Sequence, residues 1–334
     1  MDEDLNHFSF DEKQAKQLMR KAKLWSTLKM IGITVIVTPI VLVLLWYGFR
    51  TWSLHQAQKT MNEIVMYNEI SAPNIHISHQ TYDNNWFGGK IKTKTFKLIG
   101  EVPYVWESVE SRYTLFGSTP RMYGSFGSIP LNISQISQSN ESNQLIRYNS
   151  DTGDREMIFF HPEVSYDTYK DSISDLNQVD DTTLVELGLS FDKAYSYDEI
   201  QSLLPPDVQS VWWWVDAYTK DYLKYMKQVK MVLSADGMLI YGFHAEQFEV
   251  TGGMDTFITS VEQLRGSRNH SFKWAAGEIH KALAGDNNTL EEGDVTIIGA
   301  VVTGTAKQLQ ALQGLPFIKA STFGVLSDRI SVPN

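Results

Sequence analysis

The chain has 334 residues, 43% hydrophobic and 20% charged, with a formal net charge of −10 and no cysteine. Length allows one to three domains of about 100–200 residues, and the composition excludes a disordered or repeat-only chain. The acidic excess disfavours a general nucleic-acid binder, which needs a basic surface. The lack of cysteine excludes disulfide frameworks, thiolate zinc sites, iron–sulfur clusters and cysteine nucleophiles.

The charge is uneven along the chain. Asp2 to Glu12 hold five acids and no Lys or Arg, and Lys13 to Lys29 hold six basic residues and no acid. Met30 to Phe49 then runs for twenty residues without a charge. At 1.5 Å per residue that covers about 30 Å, the thickness of a bilayer's hydrocarbon core. Trp25 precedes the run, and Trp46, Tyr47 and Trp52 lie at its far end, where aromatic side chains suit membrane interfaces. Pro39 is tolerable in a membrane helix. The run is longer than a signal peptide's and is followed by a poor cleavage site, Trp46 to Trp52. One uncleaved membrane helix is expected.

The positive-inside rule places the N-terminus in the cytoplasm and residues 50–334 outside. That outer part holds 23 of the 29 basic and 34 of the 39 acidic residues, a net charge of −11. In the basic stretch Ala15, Leu18, Ala22 and Trp25 recur at helical spacing as a weak apolar stripe. Two readings fit: a helix lying on anionic lipid, or a short docking helix for a cytoplasmic partner. The candidate partner-binding residues are Phe8, Phe10, Leu18, Arg20, Lys21 and Trp25.

Beyond the membrane, Leu54, Met61, Ile64, Val65 and Asn68 suggest a modestly amphipathic helix, stopped by Pro73. Alternating patterns in 74–79 and 90–96 predict strands joined by a turn at Asn84 to Gly89. Asn132 to Asn149 contains 11 Ser, Asn or Gln among 18 residues, the clearest composition shift in the chain. A hairpin is expected there, Leu145–Tyr148 with Met157–Phe160.

The last part predicts two strand–helix–strand units. The first is Leu184–Phe191, a helix Tyr197–Leu204 opened by a Ser196–Glu199 capping box, and a strand Val208–Tyr218. The second is Val295–Val302, a Thr305–Gln308 capping box, and Phe317–Leu326. Helices Met254–Leu264 and Phe272–Leu283 lie between. The fold class is α+β, with helices covering one face of a sheet. Four regions result: 1–29 cytoplasmic, 30–49 transmembrane, 50–149 a juxtamembrane helix with a β-rich region, and 150–334 a C-terminal sensor or regulator domain.

Catalytic chemistry is sparse. There is no His-Glu-x-x-His, P-loop or nucleophile elbow. The loop Gly124 to Ser128 lacks a lysine and a following helix start. No catalytic residue, metal or cofactor is assigned. The remaining candidate is Trp212-Trp213-Trp214-Val215-Asp216-Ala217-Tyr218. As a strand it puts Trp212, Trp214, Asp216 and Tyr218 on one face and Val211, Trp213, Val215 and Ala217 on the other. Both faces are bulky, which suits a covered core strand. The alternative is an aromatic platform with a carboxylate, suited to a sugar or cation.

Two blocks resemble the family of membrane anti-sigma factors and sigma factor regulators of Gram-positive bacteria. One is Lys13–Lys29 running into the membrane helix, similar to the family's N-terminal region. The other is the series Val185–Lys193, Trp212–Tyr218, Gly299–Thr305 and Leu315–Ser321, similar to its C-terminal domain. The resemblance implies a cytoplasmic segment that sequesters an extracytoplasmic-function sigma factor, and an outer domain that responds to envelope signals. It implies no enzyme activity and no direct contact with nucleic acid. The chain departs from better-known anti-sigma proteins: without cysteine it cannot build the zinc-binding form, and its 29 cytoplasmic residues are too short for a multi-helix clamp. A short segment folding on contact is the remaining mode, with room for a second membrane protein as co-partner. The competing reading is an anchored extracytoplasmic ligand-binding module without a transcriptional role. An anchored hydrolase is a third reading, for which no nucleophile or metal set is assembled.

Overall fold

The computed structural model describes residues 12–119, 147–149, 152–235, 239–245 and 252–328. The acidic tip with Phe8 and Phe10, the Gly124–Ser128 loop and most of the polar stretch 132–149 lie outside these residues.

Helix α1 (Glu12–Ile70) is a single helix of 59 residues, about 90 Å long at 1.5 Å per residue. The basic, apolar and juxtamembrane segments are therefore one element. Pro39 sits inside it and has no N–H to offer the Val35 carbonyl. Thr27, Thr34 and Thr51 bond back to the carbonyls of Lys23, Met30 and Tyr47 at 2.8–2.9 Å. Apart from the Val35 carbonyl, helical hydrogen bonding serves the backbone along the apolar run, as a hydrocarbon environment demands.

From Ser53 onward one face of α1 is buried. Ser53, Ala57, Thr60, Ile64 and Tyr67 recur at 4,3,4,3 spacing and are all covered. This corrects the expected stripe: Ile64 and Asn68 are buried, but Val65 is exposed and Leu54 and Met61 are only half-buried. Small Ser, Ala and Thr side chains let a sheet approach the helix closely, so the inward face is less apolar than the hydrophobic pattern suggested. The helix ends at Ile70, three residues before Pro73. Ala72 and Asn74 then take positive φ values of 63° and 53°, and the Asn68 amide donates to the Ile75 carbonyl at 2.9 Å.

The turn sends the chain back along α1 as an antiparallel meander of β1 (His76–Asn85), β2 (Gly88–Ile99), β3 (Val102–Thr114) and β4 (Gly117–Thr119). The expected turn is the two-residue loop Trp86-Phe87, closed by an Asn85–Gly88 pair. Gly88 has φ +150°, and a Cβ there would lie 2.1 Å from the Tyr113 carbonyl oxygen, so only glycine fits.

The C-terminal sheet contains β8 (Leu184–Tyr195), β9 (Gln209–Val215), β11 (Gly242–His244), β12 (Ile297–Thr305) and β13 (Ile318–Ser327). Their order is β11-β9-β12-β8-β13, and every pairing is antiparallel. The two strand–helix–strand units therefore interleave: β12 of the second unit lies between β8 and β9 of the first, and β8 lies between β12 and β13. This is the split β-α-β arrangement of ferredoxin-like sheets, widened by the long excursion between β9 and β12.

One face of the sheet carries Leu187, Leu189, Trp213, Ala300 and Val302. It packs in a single core with the buried side chains of α3 (Tyr197–Leu203), α5 (Met254–Arg265), α6 (His270–Leu283) and α7 (Ala306–Leu309), with the second half of α1, and with the meander. The Thr305–Gln308 capping box forms in both directions. At Ser196 only half of the expected box forms: Ser196 accepts from the Glu199 N–H, while the Glu199 carboxylate lies 3.5 Å from Lys193.

The opposite face is covered by β7 (Ile158–Phe159), β10 (Leu233–Ser234) and α4 (Lys220–Val229). The expected hairpin is corrected here. Its first strand, β5 (Arg147–Tyr148), pairs with β6 (Arg155–Glu156), whereas Ile158–Phe159 pairs with β10. Buried Met157 and Phe159 belong under the large sheet, which pulls them out of the local pairing. The expected strand to Tyr218 is also shortened: β9 stops at Val215.

Candidate functional site

Two surfaces and one buried network hold the residues singled out above. Leu18, Arg20, Lys21 and Trp25 lie on α1, and all four are exposed. Leu18 and Trp25 are seven residues apart, two helical turns, so they share a face. Met19, Leu24 and Leu28 are exposed as well. After Glu12 this segment carries only positive charge. Chemically it is a cationic helix with an uncovered apolar stripe.

The adjoining apolar run is also bare: every residue from 30 to 49 is exposed. The helix is long and apolar enough to cross a membrane, and none of that span is buried by the rest of the chain. A core helix of a soluble domain would be covered. This one leaves about 30 Å of apolar surface facing outward, which makes it a candidate membrane span.

The Trp-rich strand lies at the centre of the C-terminal domain. Trp212, Trp213 and Trp214 have no solvent exposure. Trp213 faces the helices, in edge contact with Tyr197. Trp212 and Trp214 face the opposite core with Tyr218. The Trp214 indole N–H donates to the Tyr218 hydroxyl at 2.9 Å, and that hydroxyl donates to the Leu239 carbonyl at 2.8 Å. Burial pushes the Tyr218 phenol well above its ordinary value. Asp216 is half-buried, lies 3.1 Å from Nε2 of buried His161, and donates its backbone N–H to the Thr296 carbonyl at 2.9 Å. Glu163 N–H points at His161 Nδ1 at 3.2 Å, so Nε2 carries the proton and donates to Asp216. The His161 ring meets Trp214 and Tyr218 edge-on. Thus Trp214, Asp216 and Tyr218 do converge, although Asp216 and Tyr218 lie past the strand end. All three indoles are closed off from solvent in this arrangement.

His161 escaped sequence reading, because a lone His before a Pro carries no pattern. So did a second buried network. Lys97 on β2 and Glu186 on β8 are 2% and 0% exposed, with Nζ 2.9 and 3.2 Å from the two carboxylate oxygens. The Asn74 amide donates to Glu186 at 2.8 Å and the Val325 N–H donates at 3.1 Å. The ammonium also sits over the Trp106 ring, 4.1 Å from its centroid. A signal was present: Glu186 is the only charge in the apolar run 184–191, and such a charge needs a partner. Among the described residues no group of three or more His, Asp or Glu converges as a metal site would require.

The molecule thus has a two-part architecture. A bare apolar helix with a cationic extension joins an α+β domain that has a closed core. Comparison with known protein families agrees part by part: residues 16–104 match the sigma factor regulator N-terminal domain, and residues 176–325 match the sigma factor regulator C-terminal domain. The chain belongs to the sigma factor regulator family, whose two domains account for more than two thirds of it. The family is regulatory, and its role implies a sigma factor as partner. No curated protein and no solved structure matches the chain.

Proposed function

We infer that the chain is a single-pass membrane anti-sigma factor with a cytoplasmic N-terminus. It holds a sigma factor of the extracytoplasmic-function class at the membrane, away from RNA polymerase, through residues 1–29. The observation that carries this reading is the exposed cationic helix with Leu18 and Trp25 on one face, continuous with a bare apolar span. An exposed helical segment with six positive charges suits an acidic, grooved partner surface. The positive-inside charge bias supplies the orientation. The outer domain, residues 50–334, receives the envelope signal and passes it down α1. The decisive experiment captures cytosolic sigma factors on a peptide of residues 1–29 and measures sigma-dependent transcription in cells carrying the chain without them. Unchanged sigma activity after that deletion sinks the proposal.

A further inference from the structure

The return of the meander along α1 has a geometric result. Both of its membrane-proximal tips end at the height where α1 leaves its apolar run. The first tip is Trp86-Phe87, and the Phe87 ring lies 6.1 Å from that of Phe49. The second is Leu115-Phe116, tied to the first by a 3.0 Å bond from Leu115 N–H to the Phe87 carbonyl. Ser53 on α1 fixes this level: its hydroxyl donates to Asn84 Oδ1 at 2.5 Å, just before the first tip. Despite this anchoring, the aromatic side chains point away from the core. Trp86 is 64%, Phe87 67% and Phe116 91% exposed. Two hairpins of one sheet thus present three uncovered aromatic rings beside Trp46 and Trp52 of the helix, which are also exposed. Arg50 lies among them, its guanidinium 5.4 Å from the Trp46 ring centroid.

We propose that these tips form a membrane-interface collar: Trp86, Phe87 and Phe116 insert into the headgroup and upper acyl layer of the leaflet from which α1 emerges. The occupant is lipid, because the collar is continuous with the apolar surface of the span, and one unbroken helix sets the common height. Trp at the headgroup level, Phe slightly deeper and a cation beside them match the chemistry of that layer. Large aromatic rings on tight turns have no reason to stay in water when a bilayer begins beside them. The collar fixes the tilt of the outer domain relative to the membrane, so a signal read by that domain acts against a defined floor.

The inference rests on α1 crossing the membrane, and the test separates the two. The chain lacks cysteine, so single nitroxide labels can be placed in the full-length protein at Phe87→Cys, Phe116→Cys, Leu42→Cys and Val105→Cys. Leu42 is an exposed residue in mid-span. Val105 is an exposed apolar residue (73%) on β3, nine positions from the strand end and therefore about 30 Å from the tip. In bilayer discs of phosphatidylglycerol and phosphatidylethanolamine, labels at 42, 87 and 116 should relax with oxygen severalfold more than with a water-soluble nickel chelate, and the label at 105 the reverse. If 87 and 116 behave like 105 while 42 reads as lipid, the collar is wrong and the span stands. If 42 reads as water, both fall. Labels at 87 and 116 shielded from both reagents would mean a protein occupant, which also overturns the proposal. A readout free of labels is quenching of tryptophan fluorescence by lipid brominated near the headgroup. It should drop in Trp86→Ser, and unchanged quenching counts against insertion.

Discussion

The Lys97 ammonium and the Glu186 carboxylate meet at 2.9 Å in a site that excludes water. They join β2, which lies within residues 16–104 matched by the family's N-terminal domain, to β8, which lies within residues 176–325 matched by its C-terminal domain. The pair is fully engaged: Asn74 and the Val325 N–H complete the carboxylate, and Trp106 covers the ammonium. Gly324 makes room for it, since a Cβ there would sit 2.2 Å from Glu186 Oε2.

Removing one member of such a pair leaves an uncompensated buried charge, which costs about 3–5 kcal/mol. Lys97→Met is therefore expected to destabilise the domain that follows the span by that order. The loss should be read as a lower urea midpoint with the slope retained. The double variant K97M/E186Q should lose less than the sum of the two single changes. Additive losses would show that the two residues do not interact in solution.

The Tyr218 hydroxyl serves Trp214 and Leu239 together. Tyr218→Phe leaves a buried indole N–H and a carbonyl without it, and a cost of about 1–3 kcal/mol is expected. A raised tyrosine value has a definite sign. Its contribution is complete below the unfolded value near 10 and is lost as pH rises through the higher folded value. Near-ultraviolet circular dichroism of the wild-type chain should therefore fade in alkali, with part of that dependence absent in the variant.

Asp171 shows the opposite sign. Its partial burial raises the carboxyl, but bonds from Ser174, Ser321 and Ile173 outweigh this and hold it below the ordinary aspartate value. Its stabilisation is present above the unfolded value near 3.9 and declines as pH falls through the lower folded one. Asp171→Asn should flatten the acid limb of a stability–pH curve while changing the alkaline limb little.

Leu18 and Trp25 are 68% and 73% exposed. The variant L18A/W25A should leave the thermal midpoint of the domain that follows the span unchanged and weaken capture of the sigma factor by at least tenfold. Reversing charge at Arg20 and Lys21 should do the same with a marked dependence on salt. A fall in thermal midpoint would mean that the helix has an internal partner after all.

Much of the architecture was legible because its signals are local. The uncharged run 30–49, helices α5 and α6 and the Thr305–Gln308 box each announce themselves within a single contiguous stretch of sequence, and the helices form within two residues of the expected bounds. Bulk on both faces of Val211–Val215 signalled cover on both sides, and all three tryptophans are indeed buried. What stayed hidden depends on distant partners. Strand order pairs β12 with β8 across more than a hundred residues of sequence, which no local pattern encodes. Lys97 carries no local signal of burial, because its partner lies 89 positions away. The inward stripe of α1 was misread because Ser53, Ala57 and Thr60 carry little hydrophobic signal, yet smallness is what brings the sheet close.

The unbroken course of α1 makes angle a quantity the molecule can transmit. Each residue advances the helix by about 100°, so the bearing of Trp25 is geared to that of Ser53 through about 7.8 turns of one shaft. The meander grips one end of the shaft along Ser53 to Tyr67, and nothing in the described residues grips the other. A twist of the folded domain after the span would swing the cationic face around the axis without lengthening anything, and the missing rung at Pro39 is a coupling where that rotation could be turned into a bend.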